Sequence, residues 1–198
     1  MPLTIAQAVA RIEAQLLPPE IETTVYPALI LMSGLPGSGK SYLSRRLAEQ
    51  LSAVIIESDR VRKVLFPQPN YSAEESAFVH RTSQEVIRRL LTKGVRVIFD
   101  ATNLIEFQRE GLYSLAERSG ARLLIIRTIA PEQVIRERLE QRKSKWGDSI
   151  SDADWQVYRR MAKNEQRISR SHLCIDTSQD IDHAVRKVLR ALGHTRTR

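Results

Sequence analysis

Eight residues, Gly34-Leu35-Pro36-Gly37-Ser38-Gly39-Lys40-Ser41, fit the pattern GxxxxGK[ST] and follow directly on the apolar run Ala28-Leu29-Ile30-Leu31-Met32. A strand, a glycine-rich turn and a helix in that order wrap successive backbone N–H groups around an anion, and this pattern specifies the terminal phosphates of a nucleotide. The glycines let the chain curl inward, Lys40 brings a mobile positive charge, and the Ser41 hydroxyl is an oxygen of the kind that ligates Mg2+. The next segment, to Leu51, reads as a helix whose positive N-terminal end faces the same phosphates. Gly34, Pro36, Gly37, Ser38, Gly39, Lys40 and Ser41 are therefore the candidate nucleotide-binding residues.

From that point strand and helix signals alternate. The expected order is strand 28–33, helix 40–51, strand 53–57, helix 59–65, a Pro67 to Pro69 turn, and a long helix from Ser72 to Lys93 opened by the capping-box pattern Ser72-x-x-Glu75. Strand 95–100, helix 106–119, strand 122–128, a helix begun by Pro131, a helix from Asp152, strand 173–176 and a helix from Ile181 complete the series. Strands separated by helices require right-handed crossovers, so the fold class is α/β, a three-layer phosphate-loop fold with a five-stranded, mostly parallel sheet covered on both faces. This domain is expected over 28–198. Residues 1–27 read as an N-terminal appendage, a helix from Thr4 to Leu17 stopped by Pro18-Pro19, and a connector.

In the 198-residue chain, one cysteine excludes an internal disulfide and any multi-cysteine metal site, and the four histidines lack zinc spacing. Cys174, in an apolar strand, reads as packing. No apolar run approaches a membrane span, and the N-terminus has no secretory pattern, so the expected location is cytoplasmic with no membrane partner. The net charge of +8 favours anionic partners without choosing among nucleotides, phosphorylated metabolites and nucleic acid.

In such sheets ligands collect beyond the carboxyl ends of the strands, so the residues there carry the most weight. Asp59 and Arg62 are spaced to share one side of a starting helix: either an i,i+3 ion pair, or a carboxylate that accepts an acceptor hydroxyl's proton beside an arginine that holds the acceptor. Asp100 ends an apolar strand and is expected to face the crevice, because an unpaired buried charge is costly. Thr102 and Asn103 read as acceptor contacts or as a turn. Ser41, Asp59 and Asp100 are the candidate metal-side oxygens.

On the later helix Arg136 has acids at i−4 and i+4, whereas Arg138 and Arg142 have none and face one another across one turn. An anion between them would turn repulsion into attraction, which makes them candidates for stabilising a transferring phosphoryl group from a closing lid at about 136–151. The polar stretch from Ser144 to Ile150, with Gly147, reads as its hinge.

Together these motifs resemble the P-loop kinases grouped with polynucleotide 5′-hydroxyl kinases, zeta toxins, chloramphenicol phosphotransferase and AAA-ATPase-like kinases, over roughly residues 28 to 192. The resemblance implies ATP and Mg2+ as cofactors and Asp59 as general base. It makes Arg62 an acceptor-side contact and Arg138 and Arg142 clamps on ATP, with Lys40 catalytic beside them. Asp176-Thr177-Ser178 is similar to the loop that touches adenine, which places Thr177 near the nucleotide. The reaction implied is transfer of the γ-phosphate to a hydroxyl, with a polynucleotide 5′-OH as leading acceptor and an antibiotic, nucleoside or sugar derivative as the alternative. A nucleotide-hydrolysing switch and a non-catalytic binding module are the competing classes. The chain lacks the Asn-Lys-x-Asp run that GTP specificity of the small-GTPase kind would want. No obligate protein partner is implied.

Overall fold

The computed structural model describes residues 3–144 and 153–193. The expected hinge around Trp146 and Gly147, and His194, lie outside the described residues. The elements in chain order are α1 (Ile5–Leu16), β1 (Ala28–Ser33), α2 (Lys40–Leu51), β2 (Val54–Glu57), α3 (Ser58–Leu65), α4 (Ala73–Thr92), β3 (Val97–Asp100), α5 (Glu106–Arg118), β4 (Arg122–Ile129), α6 (Glu132–Ser144), α7 (Trp155–Ala162), β5 (Leu173–Asp176) and α8 (Ile181–Ala191). All five strands are parallel, in the order β2-β3-β1-β4-β5.

The sheet is covered on both faces, and β1 shows how one sequence serves two layers. Its six residues are all buried, yet alternation sends Leu29 and Leu31 into a core shared with α1, α3, α4 and α5, and Ala28, Ile30 and Met32 into one shared with α2 and α8. In β3, Val97 and Phe99 take the first side and Ile98 the second. The central strand thereby puts Ser33 and the loop after it at the carboxyl edge, between β3 and β4.

The N-terminal helix α1 is capped by Thr4, whose side chain accepts from Gln7 N while the Gln7 side chain reaches back to Thr4 N. It buries Ala8, Val9 and Ile12 against α3 and α4, in the same cluster as β1. The connector behind it is pinned by Thr24 N donating to Gly94 O at 2.7 Å.

Helix α7 starts at Trp155, because the Asp154 carboxylate caps the N–H groups of Gln156 and Val157 at 2.9 Å each, and the expected start at Asp152 lies outside the described residues. Two local expectations changed. Cys174 is exposed rather than packed, because β5 is an edge strand and alternation turns this position outward. The capping box at α4 is half-formed: Ser72 Oγ accepts from Glu75 N, but the Glu75 carboxylate is drawn to Arg62 and to Asn70 N instead of Ser72 N. Among the described residues no helix is long and apolar enough to cross a membrane.

Candidate active site

The loop after β1 folds as the glycine spacing requires. Gly34, Gly37 and Gly39 have φ of +147°, +80° and +85°, and each close approach is specific. A Cβ at Gly34 would stand 2.6 Å from Thr128 O, one at Gly37 2.9 Å from Ile135 Cγ2, and one at Gly39 2.6 Å from Thr177 Oγ1. The loop is thus wedged between the end of β4, helix α6 and the turn after β5. Ser38 Oγ and Thr128 Oγ1 are hydrogen-bonded at 2.7 Å, and Gly34 N donates to Thr102 O at 3.0 Å. Pro36 is buried within the loop.

Lys40, at the start of α2, folds back so that Nζ donates to Gly34 O at 2.9 Å and Leu35 O at 3.0 Å. Burial pushes its pKa down, while Asp100 and Asp59 hold it up and Arg142 lowers it further. The candidate catalytic residues Lys40, Asp59 and Arg142, together with Asp100, therefore share one electrostatic neighbourhood, although they come from α2, α3, α6 and β3.

Asp100 is 5% exposed and accepts a hydrogen bond from the Ser41 side chain. Burial raises its pKa, against the pull of Lys40 and Ser41. Its Oδ2 has no hydrogen-bond partner among the described residues. Register places Glu57 directly beside Asp100, and burial followed by the Asp100 charge raises the Glu57 pKa too. Ser41 Oγ and the orphaned Asp100 oxygen are hard donors of the type Mg2+ takes when phosphate oxygens and water complete its shell. Among the described residues no group of three His, Cys, Asp or Glu side chains could hold a metal without such help.

Arg138 donates from Nη1 to Gly37 O at 3.2 Å and to Thr177 Oγ1 at 2.9 Å, and from Nη2 to Thr177 O at 2.9 Å. Thr177 Oγ1 in turn donates to Ser38 O at 2.8 Å. The arginine, the loop after β5 and the phosphate loop are therefore one hydrogen-bonded unit. Arg136, as its spacing predicts, pairs with Glu140 on its own helix at 3.0 Å.

On the acceptor side Arg62 pairs with the buried Glu75, not with Asp59, and its guanidinium lies 4.8 Å from the centre of the Tyr71 ring. Asn103 has φ +45° and turns its amide inward, Nδ2 donating to Met32 O at 2.7 Å. Its carbonyl accepts from Ser33 Oγ and from Arg109, which is fully buried and also donates to Gln166 O and Arg167 O. Thr102 O thus braces the phosphate loop at Gly34, and Asn103 Nδ2 the end of β1 that leads into it.

Thr128, Glu57 and Arg109 belong to this assembly but not to any motif in the sequence, and Glu75 was legible only as part of the capping-box pattern. Thr128 and Glu57 share one signal, their place at the carboxyl ends of β4 and β2. The roles of Glu75 and Arg109 here carry none, because the contacts that decide them, Arg62 for Glu75 and Gln166 O with Arg167 O for Arg109, come from other elements.

A family model described as an AAA domain (AAA_33) matches residues 29–168. The chain belongs to this AAA-domain family. The AAA domain is 28% identical over 154 residues to the uncharacterized protein Rv2004c of Mycobacterium tuberculosis, an alignment covering 67% of this chain and 31% of that one. It thus spans less than a third of the length of the curated relatives it matches, a protein of Mycobacterium bovis among them. Among solved structures it superimposes on the M. tuberculosis APS kinase CysC in complex with AMPPNP and APS, with a TM-score of 0.64 and 20% identity over 85% of this chain and 98% of that one. It also matches a gluconokinase from Sinorhizobium meliloti 1021, with a TM-score of 0.58 and 21% identity over 85% and 93% of the two chains. At such identities the likeness is one of fold.

Proposed function

We propose that this AAA-domain protein is an ATP- and Mg2+-dependent phosphotransferase that moves the γ-phosphate of ATP to an acceptor hydroxyl. The observation that carries the reading is the convergence of Lys40, Asp59 and Asp100 beside a glycine-lined loop. Lys40 Nζ donates to two loop carbonyls. Anionic phosphates in the loop would offer it a stronger, charge-assisted partner. Asp59, at the first turn of α3 and partly exposed, accepts the proton from the attacking alcohol as the new O–P bond forms and the bond to the leaving diphosphate breaks. Arg142 adds positive charge where negative charge accumulates, and Arg138 with Thr177 fixes the loop's geometry from behind. Mg2+ bound near Ser41 and Asp100 would neutralise charge on the phosphate oxygens.

The acceptor divides into two readings. A polynucleotide 5′-OH is supported by the net charge of +8 and by Arg159, Arg160 and Lys163, which with Gln156 line a recess of about 400 Å3 on α7. Small acceptors are supported by the names of kinases that share the fold, a gluconokinase and a sugar kinase among them.

Labelled ATP with Mg2+, incubated with 5′-OH oligonucleotides, nucleosides, amino-sugars and antibiotics, tests the proposal by which acceptor becomes labelled. Asp59→Asn should leave ATP binding nearly intact and slow transfer by about 10²-fold or more. Unchanged turnover in that variant removes Asp59 from the mechanism, and label released only to water replaces the kinase with a hydrolase.

A further inference from the structure

Arg62 follows Asp59 by one helical turn on α3, so what surrounds its guanidinium shapes the acceptor side of the crevice. Nη1 is paired with Glu75, Nη2 donates to Ser76 Oγ at 3.2 Å, and the guanidinium rests on the Tyr71 ring. Glu75 is 5% exposed and also accepts from Asn70 N at 2.9 Å and from Tyr71 N. A buried guanidinium–carboxylate pair has no net charge to offer a second anion, so Arg62 is poorly suited to hold an acceptor phosphate.

Tyr71 is the other half of the arrangement. Its φ of +56° is one that a bulky side chain keeps only when its surroundings impose it. The Glu75 carboxylate accepts from the consecutive backbone N–H groups of Asn70 and Tyr71, and Asn70 Oδ1 accepts from Ser72 N at 2.8 Å. Hydrophobic burial is not what this conformation achieves, because Tyr71 remains 49% exposed. It sets the ring against a guanidinium that is itself held by α4.

We propose that the Tyr71 ring, backed by the neutralised Arg62, is a stacking platform for an uncharged heteroaromatic group on the acceptor, as in a nucleoside or the 5′-terminal nucleoside of an oligonucleotide. The word acceptor rests on the kinase reading above; the platform itself does not. Stacking accepts any nucleobase and gives nothing to an acceptor without a flat ring. The paired charge beneath gives nothing to an acceptor whose handle is an anion.

Binding is the primary readout, so that the platform and the transfer reaction fail separately. Cytidine, thymidine and ribose are titrated by calorimetry into the full chain saturated with Mg2+ and a non-hydrolysable ATP analogue, for wild type, Tyr71→Phe, Tyr71→Leu and Tyr71→Ala, with thermal unfolding confirming that each variant is folded. Both nucleosides should bind wild type and Tyr71→Phe alike, bind Tyr71→Ala and Tyr71→Leu about tenfold or more weakly, and bind better than ribose throughout the aromatic-bearing forms. Affinity for the ATP analogue should be the same in all four. Nucleoside binding that is absent from wild type, or indifferent to Tyr71→Ala and Tyr71→Leu, overturns the platform. Nucleosides that bind as expected but take no label from ATP, while another hydroxyl acceptor does, leave the platform standing and the kinase reading intact but overturn the platform's place on the acceptor.

Discussion

At Gly39 a missing side chain and a left-handed backbone are both required, because an added Cβ would stand 2.6 Å from Thr177 Oγ1 at φ +85°. Gly39→Ala should therefore displace the loop and sharply weaken ATP-analogue binding, measurable by titration, while the sheet core keeps the protein folded. Thr177 is the residue that Gly39 makes room for. Thr177→Val keeps its shape but leaves Ser38 O and Arg138 without their hydroxyl partner, at a cost of about 1–3 kcal/mol in unfolding free energy by denaturant titration. The glycines were legible in the sequence because their conformation is a local demand. The threonine lock was not, since Thr177 meets Ser38 only when β5 has been laid beside β4. Arg62 is the sharpest case: its spacing from Asp59 was visible, but its true partner Glu75 lies on the next helix.

Helix α1 shows that an element can be predicted without its destination. Ile5, Val9, Ile12 and Leu16 recur at nearly helical spacing, and the apolar stripe they form packs against α3 and α4. Ile12 is fully buried, so Ile12→Ala should lower stability by about 2–5 kcal/mol, read as a shift in the denaturation midpoint. Across the same contact, Arg89 bonds both Glu85 on its own helix and Glu13 of α1. Hydrogen bonds from Arg88, and then from Arg89, hold the Glu85 pKa at about 2, below the ordinary 4.5. A carboxylate whose pKa is depressed in the folded state contributes stability that is present above the unfolded value and lost as pH falls toward the folded one. Acid unfolding should therefore include a Glu85 contribution between about pH 4.5 and 2 that Glu85→Gln removes, and added salt should shrink it because these side chains are largely solvated.

For the whole molecule, the excess of basic residues makes a prediction that only ionic strength can test. If an oligonucleotide occupies the α7 surface, neutralisation of its phosphates by Arg159, Arg160 and Lys163 should give a slope of about −2 in log K against log salt. The triple replacement of these residues by alanine should flatten that slope, and a slope near zero in the parent protein counts against the polynucleotide reading. The alternation of strands and helices, and with it the parallel sheet, followed from the chain alone, because burial on two faces leaves a periodic record in consecutive residues. The glycine-lined cup was legible for the same reason: its backbone angles are set by the residues that adopt them. What the fold alone decided is which remote groups meet. Strand order brings Asp100 and Glu57 side by side across from Lys40, and helix packing gives Arg62 to Glu75 and Arg138 to Thr177. Those pairings depend on chain crossovers and on charges seeking partners away from water, and no stretch of sequence contains both halves of them.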